Sequence, residues 1–440
     1  MLLAVCAGAL LLSSPAAARR FPSVLVITVD TLRADHLSAY GYPRPTSPNI
    51  DALLGAGARF RQARTPEPLT MPALASLITS LHPHEHGASR NGLPLRPGLP
   101  SVASVLGRRG FRTAAFVGNW TLVDKLSGLG EHFQTYEEVL NRKRWYVIKG
   151  EATADDLTDT AVTWVDEHVA RHGSRPFLLW AHYVDPHAPY RFHQELAPAI
   201  GVRGPNPGPI DRYDTEIAFV DRAIGRLLAA VRRASPPGDT VIVFAADHGE
   251  SLGERRYWGH GRHLDEPCLR VPMGLAWSGR VAPQVVAAPA SLIDLAPTVL
   301  GLMGYPVPSS FRGFDWSGVL VRGEEAPSDR ATFHQAHKGA VQGVENPRRA
   351  RRRGLLEVGL VREGRKEVLR LRGEVRLLFD VTDDIAEDGR ALAASASPPS
   401  PLLLRWRRTV EEGLRSADDL PPAVVDAETE EQMRALGYLD

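Results

Sequence analysis

Two acidic residues end apolar segments that lie far apart along the chain. Asp30 and Asp247 each follow a largely apolar run, and Asp247 is followed by His248 and Gly249. An isolated carboxylate at the end of a buried strand is unfavourable unless it is paired or binds a metal ion. Neighbouring strand residues point to opposite faces, so Asp247 and His248 can reach one ion only where the chain bends, which Gly249 permits. These residues therefore predict a divalent-metal site, in preference to Asp247 acting only as a helix cap.

A hydroxyl residue, Thr70, precedes Met71 and Pro72 at the start of a helical pattern. Proline suits the first helical position, so Thr70 is expected at the helix N-terminus, where its structural role would be that of an N-cap. The same helix end stabilises an alkoxide or a bound oxyanion, and an adjacent cation would make the hydroxyl a nucleophile. Ser76 is the alternative hydroxyl, but it lies about one and a half turns into the helix, where packing is expected.

Histidines in two further segments are candidates for binding a tetrahedral anion or protonating a leaving group. His182 and His187 lie within residues 181–190, and His260 follows Trp258 and Gly259. A single histidine is more often structural, so these assignments depend on the rest of the site.

Continuous apolar segments without alternation indicate strands of a parallel sheet that is buried on both faces; they are residues 24–29, 113–117, 177–181 and 241–246. Segments with apolar residues at helical spacing lie between or after them, at residues 158–168, 214–232 and 292–303. This alternation predicts an α/β protein with a doubly wound, mostly parallel central sheet flanked by helices. Polar residues at the carboxyl ends of such strands line a ligand crevice.

Residues 1–20 are expected to lie outside the fold. An apolar stretch followed by small residues is typical of a secretory signal peptide, here cut near Ala18. This predicts a secreted or periplasmic bacterial protein. Cys268 would be the only cysteine left after cleavage, so no internal disulfide is expected.

The remaining chain is predicted to form two units. Residues 21–327 contain the strand–helix alternation and the candidate site, and they are interpreted as the catalytic α/β domain. Residues 328–440 are interpreted as a small α+β subdomain, because residues 355–361 and 367–379 alternate as in a hairpin and residues 402–414 have helical spacing.

Composition excludes some classes of partner. The net charge is +1 over 440 residues, and this near-neutral balance does not favour nucleic-acid binding. No apolar stretch after residue 20 is long enough to span a membrane, which argues against an enzyme that transfers a phosphoryl headgroup to a membrane lipid. The sequence leaves the oligomeric state open.

Five motifs together form a set that is very unlikely to arise by chance; they are residues 29–37, 70–87, 185–190, 247–250 and 436–439. The chain carrying them resembles the sulfatase family, within the alkaline phosphatase superfamily, from about residue 21 to the C-terminus. The resemblance implies the alkaline-phosphatase-like fold of sulfatases.

The resemblance also implies a ligand set. Asp30, Asp247 and His248 fall on the family's metal-ligand positions, and Thr70 falls on the nucleophile position, where it would also contact the metal. Thr31 replaces a second metal-binding Asp. Because an imidazole is present and one carboxylate is lost, Zn²⁺ or Mn²⁺ is favoured as the divalent ion, with Ca²⁺ as the alternative.

Other positions imply the substrate contacts and several departures from the family. His187 falls on a substrate-oxyanion position, and His260 falls near a position where sulfatases use a Lys. Leu74 replaces an Arg, Asn119 replaces a Lys and Thr121 replaces a His. We expect His187, His260 and Asn119 to hold the non-bridging oxygens of the substrate, with His187 and His260 also assisting catalysis.

The residue at the nucleophile position decides the expected reaction. A sulfatase uses an aldehyde hydrate on a modified Cys, whereas Thr70 must be regenerated by attack at sulfur or phosphorus. The sequence therefore predicts a metal-dependent hydrolase of phosphoric or sulfuric esters of a small molecule, glycan or lipid, with a phosphoester favoured. One alternative is a sulfuric ester hydrolase. The other is a non-catalytic anion-binding homologue, which Leu74 allows but the retained metal ligands argue against.

Overall fold

The computed structural model describes residues 21–140, 142–144, 148–235, 238–339, 354–382, 393–394, 398–416 and 431. The predicted signal peptide, the motif at residues 436–439 and part of the predicted C-terminal subdomain lie outside these ranges.

The β-strands form where apolar or alternating segments find partners. In chain order they are β1 Ser23–Val29, β2 Ala58–Phe60, β3 Ala63–Arg64, β4 Arg112–Val117, β5 Thr135–Glu138, β6 Arg142–Arg144, β7 Ile148–Glu151, β8 Phe177–Tyr183, β9 Thr240–Ala246, β10 Ser251–Leu252, β11 Trp258–Gly259, β12 Met273–Ala276, β13 Gln284–Val286, β14 Ala290–Ser291, β15 Thr332–His337, β16 Leu355–Arg362, β17 Arg365–Arg370, β18 Val375–Asp380 and β19 Ala393–Ala394.

The α-helices cover the faces of the sheets. In chain order they are α1 Pro48–Gly55, α2 Thr70–Thr79, α3 Pro83–His86, α4 Val102–Arg108, α5 Asp124–Ser127, α6 Ala154–His172, α7 Pro209–Ala234, α8 Glu266–Leu269, α9 Leu295–Leu302, α10 Ser317–Arg322 and α11 Pro401–Ser416. Within the described ranges, no helix is both long and apolar enough to cross a membrane.

The central sheet has the strand order β13-β2-β12-β9-β1-β8-β4-β5. The strands from β9 to β5 in that order run parallel to one another, whereas β12 is antiparallel to both β9 and β2. The prediction of a doubly wound, mostly parallel sheet flanked by helices is confirmed. The short antiparallel strand β12 was not predicted.

The register of the central strands brings distant residues to one edge of the sheet. Val29 of β1 lies opposite Tyr183 of β8 and Ala246 of β9. The residues at the carboxyl ends of these three strands are therefore neighbours, as expected of a crevice in a parallel sheet.

The long helices extend beyond their predicted apolar patterns. The pattern at residues 158–168 lies within α6, which begins four residues earlier because Thr153 caps it by accepting from the backbone N–H of Asp156. The pattern at residues 214–232 lies within α7, which Pro209 opens. Capping and polar outer-face residues extend a helix without adding to its apolar face.

The described C-terminal residues form a small antiparallel sheet with the order β15-β16-β17-β18-β19. Helix α11 packs on it through its apolar side chains, which are Leu403, Trp406, Val410 and Leu414. The segment predicted as one hairpin strand, residues 367–379, is divided between β17 and β18 by a turn at Gly373 and Glu374, both with positive φ. Gln335 of β15 donates its backbone N–H to the carbonyl of Pro66 at 3.0 Å, so this sheet contacts the segment leading to Thr70.

Candidate metal and catalytic site

Asp30 and Asp247 lie at adjacent carboxyl ends of β1 and β9, and both are fully buried. The backbone N–H groups of Thr31 and His248 donate to Oδ1 of Asp247 at 3.2 and 2.7 Å. One oxygen of each carboxylate, Oδ1 of Asp30 and Oδ2 of Asp247, has no hydrogen-bond partner among the described residues. A buried anionic oxygen without a partner is strongly unfavourable, so the pair is suited to a cation.

The two carboxylates differ in their proton affinity. Burial, together with the negative charge of Asp30, raises the pKa of Asp247 well above its ordinary value. Burial alone would also raise the pKa of Asp30, but the nearby histidines His187, His182 and His248 outweigh it and hold that pKa low. Two like charges that share a buried site have this effect on each other, and a cation between them would remove the conflict.

His248 presents an unprotonated nitrogen to these acids. Its Nδ1 donates to the carbonyl of Gly249 at 2.9 Å, so Nε2 carries the lone pair. Nε2 lies 3.6 Å from Oδ1 of Asp30 and 3.4 Å from Oδ2 of Asp247. Burial lowers the pKa of His248 to about 3, which keeps the ring neutral. Two carboxylates and a neutral imidazole converge as a divalent metal ion requires, so the predicted ligand residues fit such an ion.

The candidate nucleophile lies against the same group of residues. Oγ1 of Thr70 is 3.4 Å from Nε2 of His248, and the side chain is fully buried. Helix α2 begins at Thr70 itself, after the extended residue Leu69, and Pro72 is its third residue. The expectation that Pro72 occupies the first position and that Thr70 is the N-cap was therefore wrong. The hydroxyl nevertheless lies at the positive end of a ten-residue helix.

Two further histidines complete the described site. The ring of His260 is centred 4.3 Å from that of His248 and 5.4 Å from that of His187. Nδ1 of His260 pairs with Oε1 of Glu250 at 2.9 Å, and Nδ1 of His187 donates to the carbonyl of Ala188 at 2.8 Å. Because Nδ1 orients each ring, a donor or acid–base role falls to Nε2.

The segment carrying His260 also packs next to the nucleophile. A Cβ atom added at Gly261, whose φ is +91°, would lie 2.6 Å from Cδ2 of Leu69. A larger residue at this position would press on the side chain of Leu69, the residue that precedes Thr70, and would also be strained by the positive φ. The structure therefore places six of the candidate residues near one another: Asp30, Asp247, His248, Thr70, His187 and His260.

Comparison with known proteins places this geometry in a family. The family model described as Sulfatase matches residues 22–305. The chain belongs to the sulfatase family. Members of this family are metal-dependent, and the assignment supports an ester-bond hydrolase rather than the non-catalytic alternative.

Curated relatives in this family share about a quarter of their residues with the chain. Arylsulfatase A of Homo sapiens is 27% identical over 403 residues, which cover 78% of this chain and 75% of the relative. Choline-sulfatase of Rhizobium meliloti is 27% identical, covering 64% of this chain and 68% of the relative. The ulvan-active sulfatase of Formosa agariphila is 24% identical, covering 70% and 66%.

Solved structures share the fold. The structure of Ps i-CgsB in complex with k-i-k-neocarrahexaose superposes with a TM-score of 0.72 at 21% identity and covers 94% of this chain and 97% of that chain. The phosphonate monoester hydrolase SpPMH from Silicibacter pomeroyi has a TM-score of 0.62 at 20% identity and covers 92% and 97%.

Asn119, which the sequence analysis matched to a Lys position of the family, contacts one of the candidate metal-binding carboxylates. Its Nδ2 donates to Oδ2 of Asp30 at 2.5 Å, and its Oδ1 accepts from the backbone and the hydroxyl of Thr121, both at 2.9 Å. The structure thus shows Asn119 orienting Asp30, while its contact with substrate stays a prediction. Leu74, at the position of the family's Arg, is fully buried in α2.

The sequence offered His182 only as one of several histidines that could bind an anion or donate a proton, and the structure places it next to the two acids instead. His182, Asp30 and Asp247 offer ligand atoms that lie within 4.8 Å of one another, and Nε2 of His182 is 3.9 Å from Oδ2 of Asp30. The available signal was a histidine at the carboxyl end of the apolar strand β8.

The hydrogen bonds behind His182 indicate its tautomer. Oγ1 of Thr28 lies 2.9 Å from Nδ1 of His182 and accepts from Nε1 of Trp180, also at 2.9 Å. An indole N–H only donates, so the Thr28 hydroxyl accepts from Trp180 and can still give its own hydrogen to Nδ1 of His182. In that tautomer Nε2 of His182 carries the ring hydrogen 3.9 Å from Oδ2 of Asp30, too far for a hydrogen bond but close enough to favour the carboxylate electrostatically.

Proposed function

We propose that the protein hydrolyses sulfuric esters of small molecules or glycans, with Thr70 as the nucleophile. The observation that carries this proposal is the position of the Thr70 hydroxyl, 3.4 Å from the unprotonated Nε2 of His248 and next to two carboxylates. The sequence argument favoured a phosphoester. The names of the relatives, an arylsulfatase, a choline-sulfatase and an ulvan-active sulfatase, move the preference to sulfuric esters.

Each residue of the site has a separate role in the proposed reaction. A divalent cation held by Asp30, Asp247 and His248 would lower the pKa of the Thr70 hydroxyl and offset the charge of the substrate. Oγ1 of Thr70 bonds to sulfur as the bond from sulfur to the leaving oxygen breaks. The alcohol that leaves gains a proton, a step that we assign to Nε2 of His260, and the proton that Thr70 loses returns to His260 by way of solvent.

Water completes the cycle. It attacks the sulfur of the sulfated threonine, which releases hydrogen sulfate and restores the Thr70 hydroxyl. His187 is placed to hold a non-bridging oxygen through both steps, because its ring lies next to that of His260. No group other than water and the ester is consumed.

We further propose Zn²⁺ or Mn²⁺ as the ion, because His248 supplies an imidazole nitrogen and Ca²⁺ prefers oxygen ligands. Export through residues 1–20 also stays a proposal, since those residues lie outside the described structure.

The test is an assay of purified protein on an aryl sulfate, an aryl phosphate monoester and an aryl phosphate diester. Each is measured with added Zn²⁺, Mn²⁺ or Ca²⁺ after removal of metal by a chelator. We expect the highest kcat/KM on the aryl sulfate with Zn²⁺ or Mn²⁺. A higher kcat/KM on either phosphate ester would overturn the sulfate preference.

Phosphoester hydrolysis is the second candidate, and one observation favours it. Thr70 carries an ordinary hydroxyl group, and the buried Leu74 stands at the position where the resemblance implies a supporting Arg. A phosphorylated threonine is regenerated by attack at phosphorus, which does not need the modified Cys of sulfatases. The same assay separates the two candidates.

A further inference from the structure

Among the six residues of the site, exposure to solvent is confined to two histidines. The other four are fully buried; they are Asp30, Thr70, Asp247 and His248. The side chain of His260 is 13% exposed, and His187 is also partly exposed. An ester whose sulfur or phosphorus meets Thr70 therefore has its alcohol part on the side of these two histidines, where His260 is assigned to protonate it.

The segment that carries His260 borders this side of the site. Trp258 precedes His260 by two residues, so their Cα atoms are at most about 7 Å apart. Leu252 of β10 lies opposite Trp258 of β11 in a short antiparallel pair. Oε1 of Glu250 pairs with Nδ1 of His260 at 2.9 Å, and the hydroxyl of Tyr257 donates to the carbonyl of His260 at 2.8 Å. These contacts hold Trp258 and His260 in one local structure.

Trp258 differs from the other tryptophans in its exposure. Seven tryptophans lie in the described ranges, and six of them are buried or half-buried. Trp258 is 51% exposed. Tryptophan is on average a well-buried residue because its ring is large and apolar. A single exposed apolar residue needs no explanation by itself, but this one lies two residues from the partly exposed His260.

The indole ring of Trp258 is supported by the hairpin. A Cβ atom added at Gly253, whose φ is +108°, would lie 3.0–3.2 Å from three atoms of the indole, Cζ2, Cε2 and Nε1. The ring therefore lies directly against the backbone of Gly253, while half of the residue remains exposed. An aromatic ring that is held in this way loses little conformational freedom when a ligand packs on it.

The charges near the ring indicate which alcohols suit it. Residues 254–263 contain three arginines and one glutamate, Glu254, which pairs with Arg33 of another segment at 2.6 Å. Arg256 and Arg262 are exposed. An indole also binds quaternary ammonium groups, but the excess of positive charge here disfavours a cationic alcohol and favours a neutral or anionic one.

We propose that Trp258 determines specificity for the alcohol part of the ester, which is a neutral or anionic ring, a sugar or an aryl group, that packs its apolar face on the indole. The proposal rests on the proposed function and deepens it, because it names the class of alcohol. The contact is the same before and during the reaction, so it contributes to substrate binding and leaves the chemical step unchanged.

Kinetic measurements on esters of one acid test the proposal, with phenyl, galactose 6-, ethyl and choline esters as substrates. Trp258→Ala should raise KM about 10-fold on the phenyl and galactose esters with kcat near native, because stacking is lost. The ethyl ester has no ring, so its constants should not change, and Trp258→Phe should restore most of the loss on the ring esters. A loss on one ring ester alone supports the proposal and identifies the ring.

Three results would overturn the proposal. The first is a native KM on both ring esters in Trp258→Ala. The second is an equal loss on the ethyl ester, because a general disturbance of His260 would lower activity on every ester. The third is a larger loss on the choline ester than on either ring ester, which would assign Trp258 to a quaternary ammonium group.

Val285→Ala is the matched control. Val285 is 53% exposed, and its strand β13 is the edge strand of the central sheet, separated from β9 by two strands. We expect the kinetic constants of Val285→Ala to be native on all four esters. An equal rise of KM on the ring esters in this variant would show that the loss of any exposed apolar side chain is sufficient, and the role of Trp258 would be refuted.

A binding measurement separates this inference from the proposed function. Phenyl sulfate, galactose 6-sulfate and inorganic sulfate are titrated calorimetrically into Zn²⁺-loaded native protein and Trp258→Ala. If no ester is turned over, the proposed function fails, while an affinity for either ring ester that falls about 10-fold in Trp258→Ala, with inorganic sulfate unaffected, still supports the ring contact. An equal fall for inorganic sulfate, native affinity for both ring esters, or no binding of them by the native protein would overturn it.

Discussion

Two fully buried groups of acidic residues in this molecule are neutralised in different ways. Glu266 receives Nε of Arg64 at 3.1 and 3.0 Å, and Nζ of Lys366 lies 3.6 Å from Oε1. Burial alone would raise the pKa of Glu266, but the charges of Arg64 and Lys366 outweigh it and lower that pKa to about 2. The chain itself supplies the cations here.

The acids of the active site have no such partners. Asp247 pairs with no Lys or Arg in the described part of the chain, its pKa is raised, and the imidazole facing it, His248, is neutral. Both groups are equally inaccessible to water. The difference teaches that the chain itself neutralises Glu266 on folding, whereas it leaves the Asp30–Asp247 pair suited to a cation from solution, as proposed above.

The largest expected effect is on activity, which should depend on the residues around Asp30 and Asp247 and not on those around Glu266. Thr70→Ala should lower kcat by roughly 1000-fold or more, because the attacking oxygen is lost, while metal content and Tm stay close to native. Thr79→Ala is the control within the same helix. Its hydroxyl only donates to the carbonyl of Ala75, at 2.6 Å, so kcat should not change. A Thr70→Ala protein with the native kcat would refute the assignment of Thr70 as the nucleophile.

For stability, in contrast to activity, we expect the larger effect from a change at Glu266 and the smaller effect from a change in the Asp30–Asp247 pair. Glu266→Gln leaves Arg64 and Lys366 buried without a carboxylate and should cost about 3–5 kcal/mol, with or without metal. Asp247→Asn keeps the Oδ1 acceptor for two backbone N–H groups and removes one of two repelling charges. We expect it to leave the metal-free protein as stable as the native one, or more stable.

Urea unfolding in a chelator and in Zn²⁺ measures both variants. Zn²⁺ should stabilise the native protein and Glu266→Gln, but stabilise Asp247→Asn much less, since one ligand is gone. Strong destabilisation of Asp247→Asn in the chelator would contradict the contrast between the two groups, because the chain would then need the charge of Asp247 for folding.

The fold was predictable where burial leaves a pattern in the sequence. The strands β1 and β9 are continuous apolar runs because both faces of the sheet are covered. The antiparallel strand β12, Met273–Ala276, is four residues long and contains Gly274, so it leaves no such pattern. The exact helix ends depend on caps such as Thr153, which apolar spacing does not show.

The site was predictable where a reactive residue ends a predicted element. Asp30 and Asp247 end apolar runs, and this alone predicted their convergence. His182 was named only as a candidate for anion binding or proton donation, because its place beside Asp30 and its contact with Thr28 exist only in the folded chain. Asn119 was predicted to contact the substrate, which stays a prediction, and its hydrogen bond to Asp30 was not predicted.

A pH titration sharpens the Glu266 side of the comparison. Its pKa falls from an ordinary 4.5 to about 2 on folding, so its contribution is present above pH 4.5 and is lost as the pH falls towards 2. The shift corresponds to about 3 kcal/mol at neutral pH. The difference in unfolding free energy between native protein and Glu266→Gln should shrink over that window. A constant difference from pH 6 to pH 3 would contradict the assigned pairing.

The smallest expected effect concerns the orientation of His182 behind the metal site. Thr28→Val keeps the side-chain shape but removes the hydroxyl that lies 2.9 Å from Nδ1 of His182. Without that donor the Nε2–H tautomer is no longer favoured, and Asp30 loses part of its support. We expect the affinity for Zn²⁺ to fall about 10-fold, as for other residues that orient metal ligands, and Thr28→Ser to restore it. Competition with a chromogenic chelator measures the affinity directly. Equal affinity in native protein and Thr28→Val would show that Asp30 is held by Asn119 alone, and the cation site would then depend on fewer residues than its hydrogen bonds indicate.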